Sequence, residues 1–413
     1  MRPAALLSPV VLSLLLVPSL SAAQTASPAT PLTEAQQKAA DAAARQAMYT
    51  ECGGVEATTL PTSLSAGIYQ GTLGGRPVTL ELVARVHPDT EVQDRYSYDR
   101  YGIDVRLERG RPANRTAAQT LAEVESVIRE DDFQLHARAC LQLAAASRTE
   151  LKGSWRPVGG SALPLTLRRV NVAALPLALP SSPGLLALRT KDPYTFVKVN
   201  RAWAKMASGL KEPYTGVGYP RVMGGSVALN AALQDRQLAL VTEGLDCLSD
   251  YGNRDGRTDY AGQGTLSWQS RGLVSVHEDV ALYCGGAHPD AYTTGVTLDT
   301  RTGKEVTLLG APGTLWPSLS AAKLQALYLA RYPTDGNSAD ATECRDALAG
   351  DDGKDTEYGF PYALYLTRQG LAVQPNYLPH VAAGCAEVIT LPYSSLRAFA
   401  NLKSPYFRDL YPR

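Results

Sequence analysis

The chain has 413 residues, 45% of them hydrophobic, with 40 Lys and Arg balanced by 40 Asp and Glu. Zero net charge gives no electrostatic footprint for nucleic acid and no basic patch for anionic lipid, so neither is expected as a partner. The composition is that of a globular chain rather than a disordered one, and the length allows two domains.

Residues 1–23 read as a signal peptide. Arg2 supplies the positive start, residues 4–20 the apolar middle, and Ser21-Ala22-Ala23 the small-residue cleavage pattern. No later apolar run reaches the length of a membrane span, so a secreted or periplasmic protein without a membrane span is expected. The six cysteines, Cys52, Cys140, Cys247, Cys284, Cys344 and Cys385, are an even set in an exported chain, which argues for disulfides. Spacing alone leaves the connectivity open; order along the chain suggests 52–140, 247–284 and 344–385. No pair has the C-x-x-C spacing of a zinc site, and neither a metal nor a cofactor is expected.

Residues 24–65 read as a polar leader and a helix. The stretch from Glu34 to Met48 is rich in Ala, Gln, Glu and Lys, all good helix formers. Thr33 stands where a cap is needed, with Gln36 three residues on, as in a capping box. Residues 66–172 change to period two. In Pro77–Val86 the side chains of Val78, Leu80, Leu82, Ala84 and Val86 share one face, while Thr79, Glu81 and Arg85 share the other, the pattern of a half-buried strand. Tyr96–Gly102, Ile103–Leu107, Leu151–Trp155 and Leu163–Leu167 repeat it. Short strands with Gly and aromatic punctuation predict a small antiparallel β-barrel or sandwich. Its aromatics serve either as core and rim or as the grip on a small apolar ligand or glycan. Residues 173–193 carry four prolines, which forbid a continuous helix and predict a linker.

Residues 194–405 mix both periods. Val227, Leu229 or Asn230, and Leu233 trace a helical stripe with Ser226 as its cap, extended by 238–247. From Leu273 to Leu309 an apolar run, the Gly285-Gly286 corner, a second run, the Thr302-Gly303 turn and a third run predict neighbouring antiparallel strands. Leu319–Tyr332 reads as a helix opened by Ser318 or Ser320 and stopped by Pro333. Tyr362–Leu366 and Leu371–Val373 read as a hairpin, His380–Cys385 with Val388–Tyr393 as a strand, and Ser394–Phe399 as a closing helix. The class is therefore α+β: a small antiparallel β-barrel or sandwich domain, then a domain with helices packed on an antiparallel sheet.

Several elements recur together in this second half. They are Tyr219-Pro220 before a helix with Asn230, Ser275-Val-His277, Tyr283-Cys-Gly-Gly-Ala-His-Pro289, Leu298-Asp-Thr-Arg-Thr-Gly303, Pro361-Tyr362 and Val388-Ile-Thr-Leu-Pro-Tyr393. As an ordered set they resemble the extracellular domain shared by the lysozyme-sensing anti-sigma factor RsiV and the N-terminal part of the deacetylase PdaC, over about residues 190–400. The resemblance implies an α+β fold and a partner among secreted, lysozyme-like proteins or cell-wall glycan. The membrane span and sigma-binding segment of an anti-sigma factor, and the metal-binding domain of a deacetylase, are not in this sequence, so neither activity carries over.

Catalytic patterns are incomplete. His277-Glu278 is half of a zinc-protease helix, but Ala281 stands where the second His is needed. Ser320-Ala-Ala-Lys323 lacks the companion motifs of penicillin-binding enzymes. Asp250–Gly256 suggests a calcium loop without its bidentate acid; Asp335-Gly-Asn337 and Asp351–Asp355 read as turns. His288 is the sharpest candidate, since an imidazole after two glycines titrates near neutrality; the plainer reading is a side chain that orders the corner. Candidate binding residues are Tyr283, Gly285, Gly286, His288 and Asp299, with no catalytic residue assigned. The expected function is non-catalytic binding of a secreted or envelope partner, the alternative an envelope polysaccharide or peptidoglycan hydrolase or an accessory to one.

Overall fold

The computed structural model describes residues 33–86, 93–112, 119–129, 132–249, 258–285, 288–333, 339–349, 362–376, 378 and 380–412. Residues 1–32, where the sequence predicts a signal peptide and leader, lie outside them. Up to Ala40 the chain forms a unit of its own. There Thr33 caps helix α1 (Glu34–Glu51): its hydroxyl accepts the Gln36 N–H at 3.4 Å, and Gln36 Oε1 takes the Thr33 N–H at 2.9 Å. From Asp41 onward the chain is a second unit.

That unit begins with nine strands: β1 (Gly54–Glu56), β2 (Gly67–Leu73), β3 (Arg76–Leu82), β4 (Asp94–Tyr98), β5 (Asp104–Pro112), β6 (Gln119–Arg129), β7 (Asp132–Ala145), β8 (Glu150–Pro157) and β9 (Leu163–Arg169). From β2 onward each pairs antiparallel with the next, and β9 returns to β2. Eight strands thus close as an up-and-down barrel, with β1 added on β5. The alternation seen in Val78, Leu80 and Leu82 recurs around the ring and turns one face of every strand inward. Tyr69, Leu73, Tyr96, Leu107, Leu121, Leu141, Leu143, Leu151, Leu165 and Leu167 join those three in one apolar cluster, with Tyr98 and Trp155 against its margin. A barrel of eight strands is just wide enough for side chains to fill. Its tyrosines are core and rim.

Arg109 and Asp94 lie inside this wall with no side-chain exposure. Arg109 Nε reaches Asp94 Oδ2 at 2.8 Å and Nη2 reaches Oδ1 at 2.5 Å, while the remaining donors go to the carbonyls of Thr58, Val83 and Ala84. Complete bonding is what makes a buried ion pair tolerable. Outside, Met48, Tyr49 and Cys52 pack on Ala122, Ala137 and Cys140, and the Cys52–Cys140 disulfide fixes the contact.

Two helices follow, α2 (Pro183–Lys191) and α3 (Pro193–Val199). The prolines of 173–193 do not exclude them, because Pro183 and Pro193 stand in the first turn, where no N–H is required, behind the caps Ser182 and Asp192, and Pro176 and Pro180 precede both helices. The α3 end is keyed to the barrel wall through Arg95, which bonds Glu81 at 2.8 Å, Asp104 at 3.3 Å and Asp192 at 3.0 Å. Lys198 also pairs with Asp104, and Tyr194 donates to Ser97 at 3.0 Å.

Next come β10 (Ala204–Lys205), β11 (Gly209–Lys211), β12 (Gly218–Pro220), α4 (Val227–Leu248), β13 (Asp259–Gln269), β14 (Leu273–Tyr283) and β15 (Asp290–Asp299). The strands form one sheet in chain order, antiparallel except at β12–β13. Ser226 caps α4, and its stripe of Leu229, Leu233, Val241 and Leu245 packs on Val274, Val276, Val280, Val296 and Leu298. A period of 3.6 meets a period of two, and the sheet buries one face.

The remaining elements are α5 (Ala321–Leu329), α6 (Ala339–Ala349), β16 (Tyr362–Leu366), β17 (Gly370–Pro375), β18 (Ile389–Pro392), α7 (Tyr393–Leu396) and α8 (Phe407–Leu410). The three strands form a second sheet around a core of Leu273, Trp316, Leu324, Tyr328, Leu366, Leu371, Val373 and Leu391. Leu410 and Tyr411 are part of this core, and Tyr411 OH accepts Trp316 Nε1 at 3.0 Å. Packing therefore runs past residue 405. Three readings of chain order are realised as disulfides, 52–140, 247–284 and 344–385.

Two local expectations change. His380–Cys385 is a short 3-10 helix rather than a strand; its Ala-Ala-Gly run offers no β-branched face, and Cys385 is bound to Cys344 of α6. The third run after the Thr-Gly turn keeps a short ladder with β15: Asp299 N–H to Lys304 O, the Glu305–Leu298 bridge and Val306 N–H to Thr297 O. Leu308 then leaves for the second core, where its carbonyl takes the Trp316 N–H at 2.8 Å. Burial of Leu308 and Trp316 wins over further ladder bonds.

Candidate binding groove

Along β14, side chains alternate between the α4 face and the opposite face. On the α4 side Glu278 is buried, accepting from Arg236 Nε at 2.8 Å, Tyr219 OH at 2.6 Å and Thr294 Oγ1 at 2.7 Å. Burial first, and then the Glu278 charge beside it, push the Tyr219 hydroxyl far above its ordinary value. His277 and Glu278 therefore point to opposite faces of a strand and never share a metal. Ser320 Oγ likewise accepts the Lys323 N–H at 3.3 Å as an ordinary helix cap.

The opposite face carries Gln263 and Thr265 of β13, Ser275, His277 and Asp279 of β14, and Thr293 and Gly295 of β15. The second sheet covers half of it. Leu366 N–H donates to Ser275 Oγ at 2.9 Å, and Tyr365 stacks on His277 with ring centroids 4.7 Å apart. A Cβ on Gly295 would meet the Leu364 carbonyl oxygen at 2.0 Å, so only glycine lets β16 cross there.

The other half is open. Gln263, Thr265, Asp279 and Thr293 floor a cavity of about 1440 Å³, with Gln374, Asn376, Ala383 and Ala386 along one wall and His288 and Pro289 along another. Thr293 Oγ1 donates to Asp279 Oδ1 at 2.9 Å, and His277 Nε2 lies 3.3 Å from Asp279 Oδ2. The His277 hydrogen bond, opposed by burial and helped by Thr293, holds the Asp279 carboxyl below its usual value. Asn376, 6% exposed, accepts the Thr293 backbone N–H at 3.1 Å.

The residues singled out from sequence divide. His288 is exposed and lines the groove. Tyr283 is half-buried at the end of β14, opposite Asp259. Gly285 has φ +104, the angle a sharp corner asks of glycine; Cys284 before it is tied to Cys247 on α4. Gly286 lies outside the described residues, as do 250–257, Asp335, Asn337 and Asp351–Asp355. Asp299 sits at the far end of β15, about 30 Å from the corner at strand rise. Its carboxylate accepts from Thr302 N–H at 2.7 Å, Thr302 Oγ1 at 2.8 Å, Arg301 N–H at 3.0 Å and Tyr406 OH at 2.7 Å. Burial raises its pKa, but these bonds outweigh burial and hold it at about 2. Asp299 shapes the Thr-Gly turn and is remote from the groove.

Sequence reading passed over Gln263, Asp279, Thr293, Gln374 and Asn376. His277 and Asp279 carried a usable signal, two polar residues at period two inside an apolar run. Asn376 carried none, because its contact with Thr293 spans 83 residues. Among the described residues no group of three or more His, Cys, Asp or Glu is placed to hold a metal, and no helix is long and apolar enough to cross a membrane.

No family model matches the chain, and the search of curated proteins gave no match. Among solved structures it is similar to the crystal structure of a DUF3298 family protein from Pseudomonas aeruginosa PAO1. Identity is 20%, the match covers 42% of this chain and 71% of the other, and the TM-score is 0.25. At that overlap the likeness carries no argument about family or function.

Proposed function

We propose that the chain is an exported, non-catalytic binding protein of the cell envelope, and that the groove on the open sheet face receives part of a secreted protein or a cell-wall component. The observation that carries the reading is the size and lining of that groove. At about 1440 Å³ it exceeds the roughly 300–1,000 Å³ of sites for small molecules, which favours a segment of a macromolecule. Gln263, Thr265 and Gln374 offer neutral hydrogen-bonding groups, suited to amides or hydroxyls, beside the charged Lys211, Asp279 and Asp290. Three disulfides fit an oxidising compartment, and the resemblance to the RsiV and PdaC extracellular domain points to partners of the same kind. The test is retention of purified protein on immobilised lysozyme, cell-wall glycan and envelope extract; retention on none of them removes the proposal.

A second reading, hydrolysis of envelope polymers, is favoured by one feature: His288, Asp279 and Asp290 all line this groove. Cell-wall digestion abolished in a folded His288→Ala variant would establish it in place of binding.

A further inference from the structure

Among the described residues β15 is the last strand of its sheet, paired with β14 and followed by no other strand. In an antiparallel strand every second residue turns its backbone groups away from the neighbour, and here these are the odd-numbered ones. Asp299 N–H goes to Lys304 O at 2.9 Å and Thr297 O takes Val306 N–H at 2.8 Å. Thr293 N–H goes to the side-chain oxygen of Asn376. The return segment that begins at Lys304 would, continued in register, bring Leu308 opposite Gly295. It departs after Val306 instead, and a cavity of about 420 Å³ opens between it and β15. Thr293, Gly295 and Thr297 form one side of that cavity and Val306, Leu308 and Tyr362 the other. It meets the open groove at Thr293 and Asn376, which line both.

We propose that this slot receives an extended peptide segment of a partner protein, which adds to β15 as the strand that Lys304–Val306 begin. Backbone bonding at a sheet edge gives such a site its affinity, and pockets for alternate side chains give it selectivity. Threonine, aliphatic and Tyr362 walls favour small or aliphatic side chains along most of the slot, with Glu305 the one acidic group of its lining. The Asn376 amide satisfies the Thr293 donor in the free protein and so protects the edge, and an added strand takes its place. A sugar polymer has no N–H and C=O repeated at strand spacing, which favours peptide over glycan. The inference rests on the reading of the chain as a binding protein and names the partner chemistry.

The experiment pans phage-displayed random short peptides on the folded protein, then titrates enriched peptides against wild type, Thr293→Pro and Asn376→Ala. Proline at an edge position whose N–H faces outward is compatible with a strand, and circular dichroism verifies folding. Thr293→Pro should weaken binding about tenfold or more, equivalent to about 1.4 kcal/mol, while Asn376→Ala should bind as tightly or more tightly. Amide exchange at Thr293 and Gly295 in the wild type should slow with peptide, a readout independent of either variant. Failure to enrich any peptide, full affinity in Thr293→Pro, equal loss in both variants, or light scattering that shows the edge occupied by a second copy of the chain would overturn the proposal. Continued retention of envelope partners by Thr293→Pro would leave the proposed function standing while this inference falls; no retention by wild type would remove the function itself.

Discussion

The two β-bodies of this chain solve the same problem in opposite ways. The barrel pairs every strand on both sides, fills its interior with leucines and tyrosines, and binds even the buried Arg109 guanidinium to Asp94 and three carbonyls. The six-stranded sheet buries one face under α4, leaves half of the other uncovered and ends on β15 with a side-chain amide in place of a neighbouring strand. Closure abolishes edges and with them any template for pairing. The open edge and the uncovered sheet face therefore belong to the second body, and the difference lies in topology rather than composition.

The contrast breaks first at its most closed point. Arg109→Met strips the buried Asp94 of its guanidinium partner and leaves it the Val83 N–H, and thermal or urea denaturation should report a loss of about 3–5 kcal/mol. An indistinguishable stability would mean that the barrel is far looser than its bonding implies. The disulfides sharpen the comparison. Each should contribute roughly 2–4 kcal/mol, but Cys52–Cys140 spans 88 residues and Cys247–Cys284 only 37, so chain entropy gives the first an advantage of about 0.8 kcal/mol. Denaturation of the two paired-alanine variants measures it, and the reverse order would show that strain outweighs loop closure.

Asp299 gives a pH signature to the second body. Its folded pKa of about 2 lies below the unfolded value near 3.9, so its contribution of about 2.5 kcal/mol is complete above the unfolded value and disappears as pH falls through about 2. Asp299→Asn should lower stability at neutral pH by that amount and flatten the decline between pH 4 and 2, read from melts across the acid range. The smallest effect belongs to the open groove. Gln263→Ala should change stability by no more than about 0.5 kcal/mol while reducing retention of an envelope partner. A large loss of stability there would show the groove to be part of the packing.

Much of the barrel is legible because each strand states its own facing: Val78, Leu80 and Leu82 point inward by period alone. The corner at Gly285 and the capped start of α4 at Ser226 are equally local. The groove is not, since Tyr365 reaches His277 and Asn376 reaches Thr293 from distant parts of the sequence, and no periodicity links them. Asp299 drew attention as a candidate contact although Asp-Thr-Arg-Thr-Gly is a turn in which the acid bonds the next N–H groups. The helix at Pro183 was hidden by weighing four prolines together; position decides, and proline behind Ser182 opens a helix instead of ending one.

The disulfide connectivity has a consequence for biogenesis. Each cysteine is joined to the next one along the polypeptide, 52 with 140, 247 with 284, 344 with 385, and no bridge encloses or straddles another. A chain threaded amino end foremost into an oxidising space thus never holds more than one unpaired thiol awaiting its mate. Joining in order of arrival yields the native set.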